Sequence, residues 1–195
     1  CGGEQCGVAN GTMIVTSGVG TPLGWYWSTG STYTSLSNTT TSQSYSVTGT
    51  TYYAYVVKNG VCPADTARDT ISIVPYSAVG NPTTLTPSVC AISNTVTVSV
   101  QNTSITGSII AWEAATSLSG PWDSVGAASS YSTTNITVPT YYHLIVKSGI
   151  CPPDTSDNIL INVEQAPIAG TLSGSTNHCG ALPATGTINL SGQSG

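Results

Sequence analysis

The sequence predicts an all-β chain built as tandem sandwich domains, and three observations carry that prediction. Charge is scarce: 195 residues hold three Lys and Arg and eight Asp and Glu, where soluble chains are roughly one quarter charged. Thr, Ser, Asn and Gly supply the polar surface instead; Thr suits a half-exposed strand, and Ser, Asn and Gly suit turns. A long segment also repeats, since Thr51-Tyr52-Tyr53-Ala54-Tyr55-Val56-Val57-Lys58 through Cys62-Pro63-Ala64-Asp65-Thr66 returns 89 residues later. There it reads Thr140-Tyr141-Tyr142-His143-Leu144-Ile145-Val146-Lys147 through Cys151-Pro152-Pro153-Asp154-Thr155.

The elements follow in order within each unit. Thr95-Val96-Thr97-Val98-Ser99-Val100 alternates polar and apolar, as a strand with one buried face does. Ile109–Glu113, Tyr141–Val146 and Ile159–Val163 follow as further strands, and nothing longer than a turn has helical periodicity. Lys58-Asn59-Gly60 and Lys147-Ser148-Gly149 stand where a tight hairpin turn is expected, and Asn-Gly favours type I′ geometry. Upstream, Cys6 matches Cys90, Cys90 matches Cys179, and Trp27 is aligned with Trp112. A third copy opens near Ala166. The expected domains are therefore 1–76, 77–165 and an incomplete 166–195, with Pro82, Pro87 and Pro167 stiffening short linkers at their boundaries. A repeat of this length is domain-sized, so each unit can bury a core of its own.

The composition also limits function. A net charge of −5 with only three basic residues does not neutralise a phosphate backbone or an anionic membrane surface. No apolar run approaches the roughly 20 residues that span a bilayer. No export signal is present, so any such signal is expected to be removed or to lie upstream of Cys1. Six cysteines in so uncharged a chain point to an oxidising compartment. Zinc fits poorly, because Cys1 and Cys6 are the one close pair.

Each unit places a Cys before its first long strand, a Trp about 20 residues on, and a second Cys after the Tyr-Tyr strand. This resembles the Cys…Trp…Cys order of an immunoglobulin-type domain, in which a buried Trp packs near an inter-sheet disulfide. The resemblance implies Cys6–Cys62 and Cys90–Cys151 staples, each stabilising its unit by about 4 kcal/mol in the chain-entropy picture. Both second cysteines lie just past their strand and before Pro, so the expected bridge ties a sandwich edge. Cys179 has no partner within its incomplete unit, and Cys1 has no counterpart in the second. Three fates fit Cys1: a bridge to a preceding unit, a bridge to Cys179 of a neighbouring chain, or a free thiol.

More specifically, Trp25-Tyr26-Trp27-Ser28-Thr29-Gly30, Thr50-Thr51-Tyr52-Tyr53 and Gly60-Val61-Cys62 resemble the immunoglobulin-like repeats of large Bacteroidota cell-surface proteins. So do Ala111-Trp112-Glu113, Ser119-Gly120-Pro121-Trp122, Thr140-Tyr141-Tyr142, Gly149-Ile150-Cys151 and the junction from Ala166 to Leu172. The resemblance implies a type IX secretion substrate, gliding-adhesin-like: a stalk or adhesive fibre outside the outer membrane. It also implies Asp-Ser/Thr-apolar sites of O-glycosylation at Thr66, Thr70 and Ser124, where a glycan would hydrate a charge-poor surface.

Catalytic chemistry has few candidates. His143 falls where the first unit has Ala54, and His178 precedes Cys179 in a junction. Asp65 and Asp154 recur but belong to different units, so they are read as turn or strand-end groups, not as a glycosidase pair. Asp69 and Asp157 do not complete the six to eight oxygens calcium needs. Lys58 and Lys147 read as hairpin-edge lysines that discourage sheet-to-sheet pairing, in preference to isopeptide staples. Trp25, Trp27 and Tyr33 are candidate stacking residues for a sugar. The expectation is a non-catalytic, cofactor-free structural or adhesive segment at the cell surface. Its partners would be neighbouring repeats or identical subunits in a fibre, with a carbohydrate-binding or accessory module as the rival and a surface polysaccharide as that rival's ligand. If the chain ends at Gly195, the opening strands of the third unit would leave a sheet edge that completes a fold on a neighbouring subunit.

Overall fold

The computed structural model describes residues 3–174 and 187–194; Cys1, His178 and Cys179 lie outside the described residues. The fold is all-β, as the Thr-rich alternation requires. A three-residue 3-10 turn at Asn102–Ser104 is the helical exception among the described residues.

The first unit runs through β1 (Gln5–Cys6), β2 (Ala9–Ile14), β3 (Thr21–Ser28), β4 (Thr34–Ser35), β5 (Ser42–Val47), β6 (Thr51–Lys58), β7 (Asp65–Ile71) and β8 (Ile73–Val74). β2 and β5 form one sheet, β4-β3-β6-β7 the other, and β1 pairs in parallel with β8. The second unit comprises β9 (Thr83–Thr84), β10 (Ser88–Cys90), β11 (Thr95–Ser99), β12 (Ser108–Ala115), β13 (Asp123–Gly126), β14 (Ser130–Thr134), β15 (Thr140–Lys147), β16 (Asp154–Thr155) and β17 (Ile159–Glu164). Its sheets are β14-β11-β9 and β10-β17-β15-β12-β13, with β16 alongside β15. Beyond it β18 (Thr171–Ser173) pairs with β19 (Asn189–Ser191).

The buried faces follow from the alternation. In the second unit Val96, Val98 and Val100 meet Trp112, Tyr142, Leu144, Val146 and Ile161 in one core. Each such side chain contributes roughly 1.5–3 kcal/mol on burial. The first unit's core is smaller: Ala9, Tyr53 and Ile71, surrounded by Met13, Leu36, Tyr45, Val47 and Ile73. Matching ring pairs brace both, Tyr45–Tyr53 at 6.1 Å and Tyr131–Tyr142 at 6.0 Å.

Register corrects the tryptophan alignment. β3 carries a bulge between Pro22 and Gly24, and β12 carries one between Ile109 and Ala111. Counting from those bulges, the counterpart of Trp112 is Trp25, not Trp27. Both are buried, and each indole N–H donates to a loop carbonyl at 2.9 Å, Trp25 to Thr40 and Trp112 to Ala128. Trp27 is further along β3, 37% exposed.

The hairpin turns are also longer than Asn-Gly suggests. Residues 59–64 join β6 to β7 and 148–153 join β15 to β16. The two loops share a geometry, since Cys62 N–H donates to Asn59 O and Cys151 N–H to Ser148 O. Gly60 and Gly149 adopt φ of +53° and +48°, left-handed backbone that favours glycine.

Candidate functional site at the unit junction

The best-built polar and covalent cluster lies where the first unit meets the second. Strand β8 ends at Val74, and β1 lies beside it with Cys6 opposite Val74 and Gly7 N–H donating to Val74 O at 2.8 Å. The chain then crosses to the second unit, with Pro75 and Pro82 limiting its backbone freedom. Ser77 Oγ donates to Pro152 O at 2.6 Å and accepts from Ser148 N–H at 2.9 Å. Val79 N–H donates to Asp154 Oδ2 at 3.0 Å, while the Val79 side chain packs against the second unit's core. A bridge between Ala78 and Thr106 continues the contact.

A disulfide closes the junction. Cys6 bonds Cys151, with Cα atoms 5.2 Å apart and a sequence separation of 145. This replaces the expected Cys6–Cys62 and Cys90–Cys151 staples; Cys62 and Cys90 are free and exposed. The reason is strand length. Cys6 sits beyond Ile71, which is opposite Thr51 at the start of β6, whereas Cys62 follows the far end of that eight-residue strand. At about 3.3 Å per residue the two lie at opposite ends of the sandwich, and a disulfide needs Cα atoms within about 7 Å. The same holds for Cys90, beside Glu164, and Cys151, beyond Lys147. The turn carrying Cys151 packs instead on the end of the preceding unit, where a Cβ on Gly149 would come 3.0 Å from Val74 Cγ1. Cys151 is fully buried there.

The other candidate residues are scattered. Trp25 belongs to the core, while Trp27 and Tyr33 are exposed, at 37% and 38%. Trp27 borders an open cavity of about 300 Å³ with Ser28, Thr29, Gly30, Ser31 and Thr34. A second cavity, about 440 Å³, opens in the first unit beside Met13, Trp25, Tyr45, Tyr53 and Ile71. Thr66 and Thr70 are half-buried on β7, each donating its N–H to the preceding aspartate at 2.8 Å; Ser124 is exposed on β13. Lys58 and Lys147 are exposed at the ends of β6 and β15.

His143 is held by Glu113 Oε2 on Nε2 and Asn158 Oδ1 on Nδ1, each at 3.0 Å, under the Trp122 ring with centroids 4.0 Å apart. The counterparts of Glu113 and His143 in the first unit are Tyr26 and Ala54, so this cluster belongs to one unit alone. Among the described residues no group of three His, Cys, Asp or Glu is placed to hold a metal. Tyr142 and Tyr53 titrate above the ordinary tyrosine range; burial is the larger cause, and neighbouring Tyr131 and Tyr45 add to it. Sequence reasoning missed Ser77 and the linker-binding role of Asp154. The recurrence of Asp65 and Asp154 after Cys-Pro was the available signal for the latter.

Residues 79–165 match a family model described as a domain of unknown function (DUF8696). No curated protein sequence matches the chain. Among solved structures it is similar to a Ca2+-stabilized adhesin that helps an Antarctic bacterium reach out and bind ice, with 9% identity, a TM-score of 0.37 and 87% of this chain covered. It is also similar to a 1.5-MDa bacterial ice-binding adhesin, with 16% identity, a TM-score of 0.41 and 87% of this chain covered. The match takes in 47% of the first of those chains and 62% of the second.

Proposed function

We propose that the chain is a non-catalytic structural and adhesive segment of an extracellular filament or stalk, in which sandwich units are set in series and covalently coupled. The observation that carries this reading is the Cys6–Cys151 bridge, which joins two units instead of closing one. A bridge of that kind restrains the orientation of neighbours, which is what a spacer under load requires. Disulfides persist in oxidising surroundings, which supports a cell-surface location. The motif resemblance supports a Bacteroidota surface protein exported by the type IX route, with Ser124 the most accessible of the three glycosylation candidates.

Backbone 15N relaxation tests the reading. The oxidised chain should tumble as one body, with one correlation time across residues 9–71 and 95–163. Cys6→Ser should split it into two. Independent tumbling of the oxidised units would sink the proposal.

A second reading rests on exposed Trp27 and Tyr33. Aromatic faces beside an open polar cavity suit a sugar ring, which makes a carbohydrate-binding module the rival. Calorimetric titration against a glycan panel decides it: heat that disappears in Trp27→Ala supports the module, and no heat from any glycan removes it.

A further inference from the structure

We propose that Glu113, His143 and Asn158, lying beneath Trp122, form a proton-operated clasp on the outer face of the second unit. With the imidazole protonated, the clasp fixes the 116–122 loop between β12 and β13. With the imidazole neutral, the loop is released and Trp122 lifts from the sheet. The device belongs to one unit and does not depend on the series reading.

Its geometry comes from strand alternation. Tyr142, Leu144 and Val146 of β15 include the core side chains that flank His143 in sequence, so His143 points to the opposite face. A side chain there ordinarily meets solvent, yet His143 is 8% exposed. Its cover is Trp122, with ring centroids 4.0 Å apart and 36° between the planes. Glu113 stands across from it on β12, and Asn158 reaches it from the segment between β16 and β17. Nε2 meets Glu113 Oε2 and Nδ1 meets Asn158 Oδ1, each at 3.0 Å.

Two oxygen acceptors on one ring match the doubly protonated imidazole, because a neutral ring has a single N–H to donate. The Glu113 carboxylate retains the proton on Nε2, so the one that leaves for water is on Nδ1. Asn158 must then turn its amide and offer Nδ2 to the bare nitrogen. Two attractions go with that proton. One is the charge-assisted bond to Glu113; the other is the pull of a cation toward the indole face. The second of these holds the loop.

The surrounding charges leave Glu113 in control. His143–Glu113 is the only ion pair among the described residues. Asp123 and Asp157 adjoin Trp122 and Asn158 in sequence, but neither bonds the ring. Along β15 the same face carries Tyr141 and Lys147, and Lys147, four residues on, is about 13 Å away. The first unit shows that the fold does not require an imidazole here. Ala54 takes its place between Tyr26 on β3 and Arg68 on β7, and is buried without it.

The test uses the full chain, 15N-labelled with Cys6–Cys151 intact, titrated from about pH 5 to 8, the range in which histidine changes charge. Imidazole 15N shifts report the two ring nitrogens, assigned by their loss in His143→Ala. Relaxation of the Trp122 indole N–H and of the loop amides reports the clasp. At the acid end both ring nitrogens should carry protons and the loop should be as rigid as β12. As Nδ1 loses its proton, loop order should fall with the same midpoint, while Nε2 keeps its proton. Glu113→Gln should move both midpoints together to lower pH, and His143→Ala should leave loop order independent of pH. Loop order that stays constant while the ring titrates would overturn the inference from the unmodified chain alone. So would a pH response that survives in His143→Ala.

Discussion

Trp112 and Trp27 show how differently one residue type weighs in two places. Trp112 is wholly buried, with its indole N–H satisfied by Ala128 O. Replacing it with Ala should cost about 3–5 kcal/mol, read as a lowered urea midpoint. Trp27→Ala, on a partly exposed ring, should cost under about 1 kcal/mol in the same assay. The buried tyrosines set the alkaline limit. Tyr142 and Tyr53 are raised above the 10.0 of a free tyrosine, so above that pH the unfolded chain releases protons that the folded chain retains. Stability is therefore fully present below about pH 10 and declines as pH rises through the folded values. Tyr142→Phe should flatten that decline in pH-jump denaturation, and an unchanged slope would contradict the assignment. At this scale the sequence was legible wherever alternation governs, as in Val96, Val98, Leu144 and Val146. It misled at Trp27, because two tryptophans spaced two apart satisfy the same pattern and only the bulge at Pro22–Gly24 decides between them.

Among the elements, the loops after β6 and β15 show what a shared sequence motif does in two settings. Gly60→Ala and Gly149→Ala should both cost about 1 kcal/mol for the left-handed backbone. Only Gly149→Ala adds a crowded contact with Val74, so it should be the more destabilising of the two by chemical denaturation. Asp154→Ala removes the acceptor of Val79 N–H, a charge-assisted bond of about 1.5–3 kcal/mol. Faster amide exchange at Val79, with Val98 unaffected, is the expected signature. The strands β11, β12, β15 and β17 lie where periodicity put them. The pairing of Cys6 with Cys151 was not legible, because it depends on how one sandwich end meets the next. A family pattern for single domains points instead to a closure that the length of β6 forbids.

Over the whole molecule, the staple encloses 145 residues of separation, which in the chain-entropy picture restrains the unfolded chain by about 5 kcal/mol. That restraint is shared between two units, so reduction should lower both unfolding transitions together. Two separate transitions in the oxidised chain, only one of them sensitive to reductant, would show that the units do not share it.

The same bridge also decides where tension goes. A pull applied outside Cys6 and Cys151 passes through sulfur, so everything threaded between them, the first sandwich and most of the second, stays slack while the ends are stretched. In an atomic-force trace the oxidised chain should yield only its short outer segments. Adding reductant should release about 500 Å of hidden length at roughly 3.5 Å per residue. The fold thus behaves less as a row of springs than as a cable with its slack sewn in, lengthening only where a chemical stitch is cut.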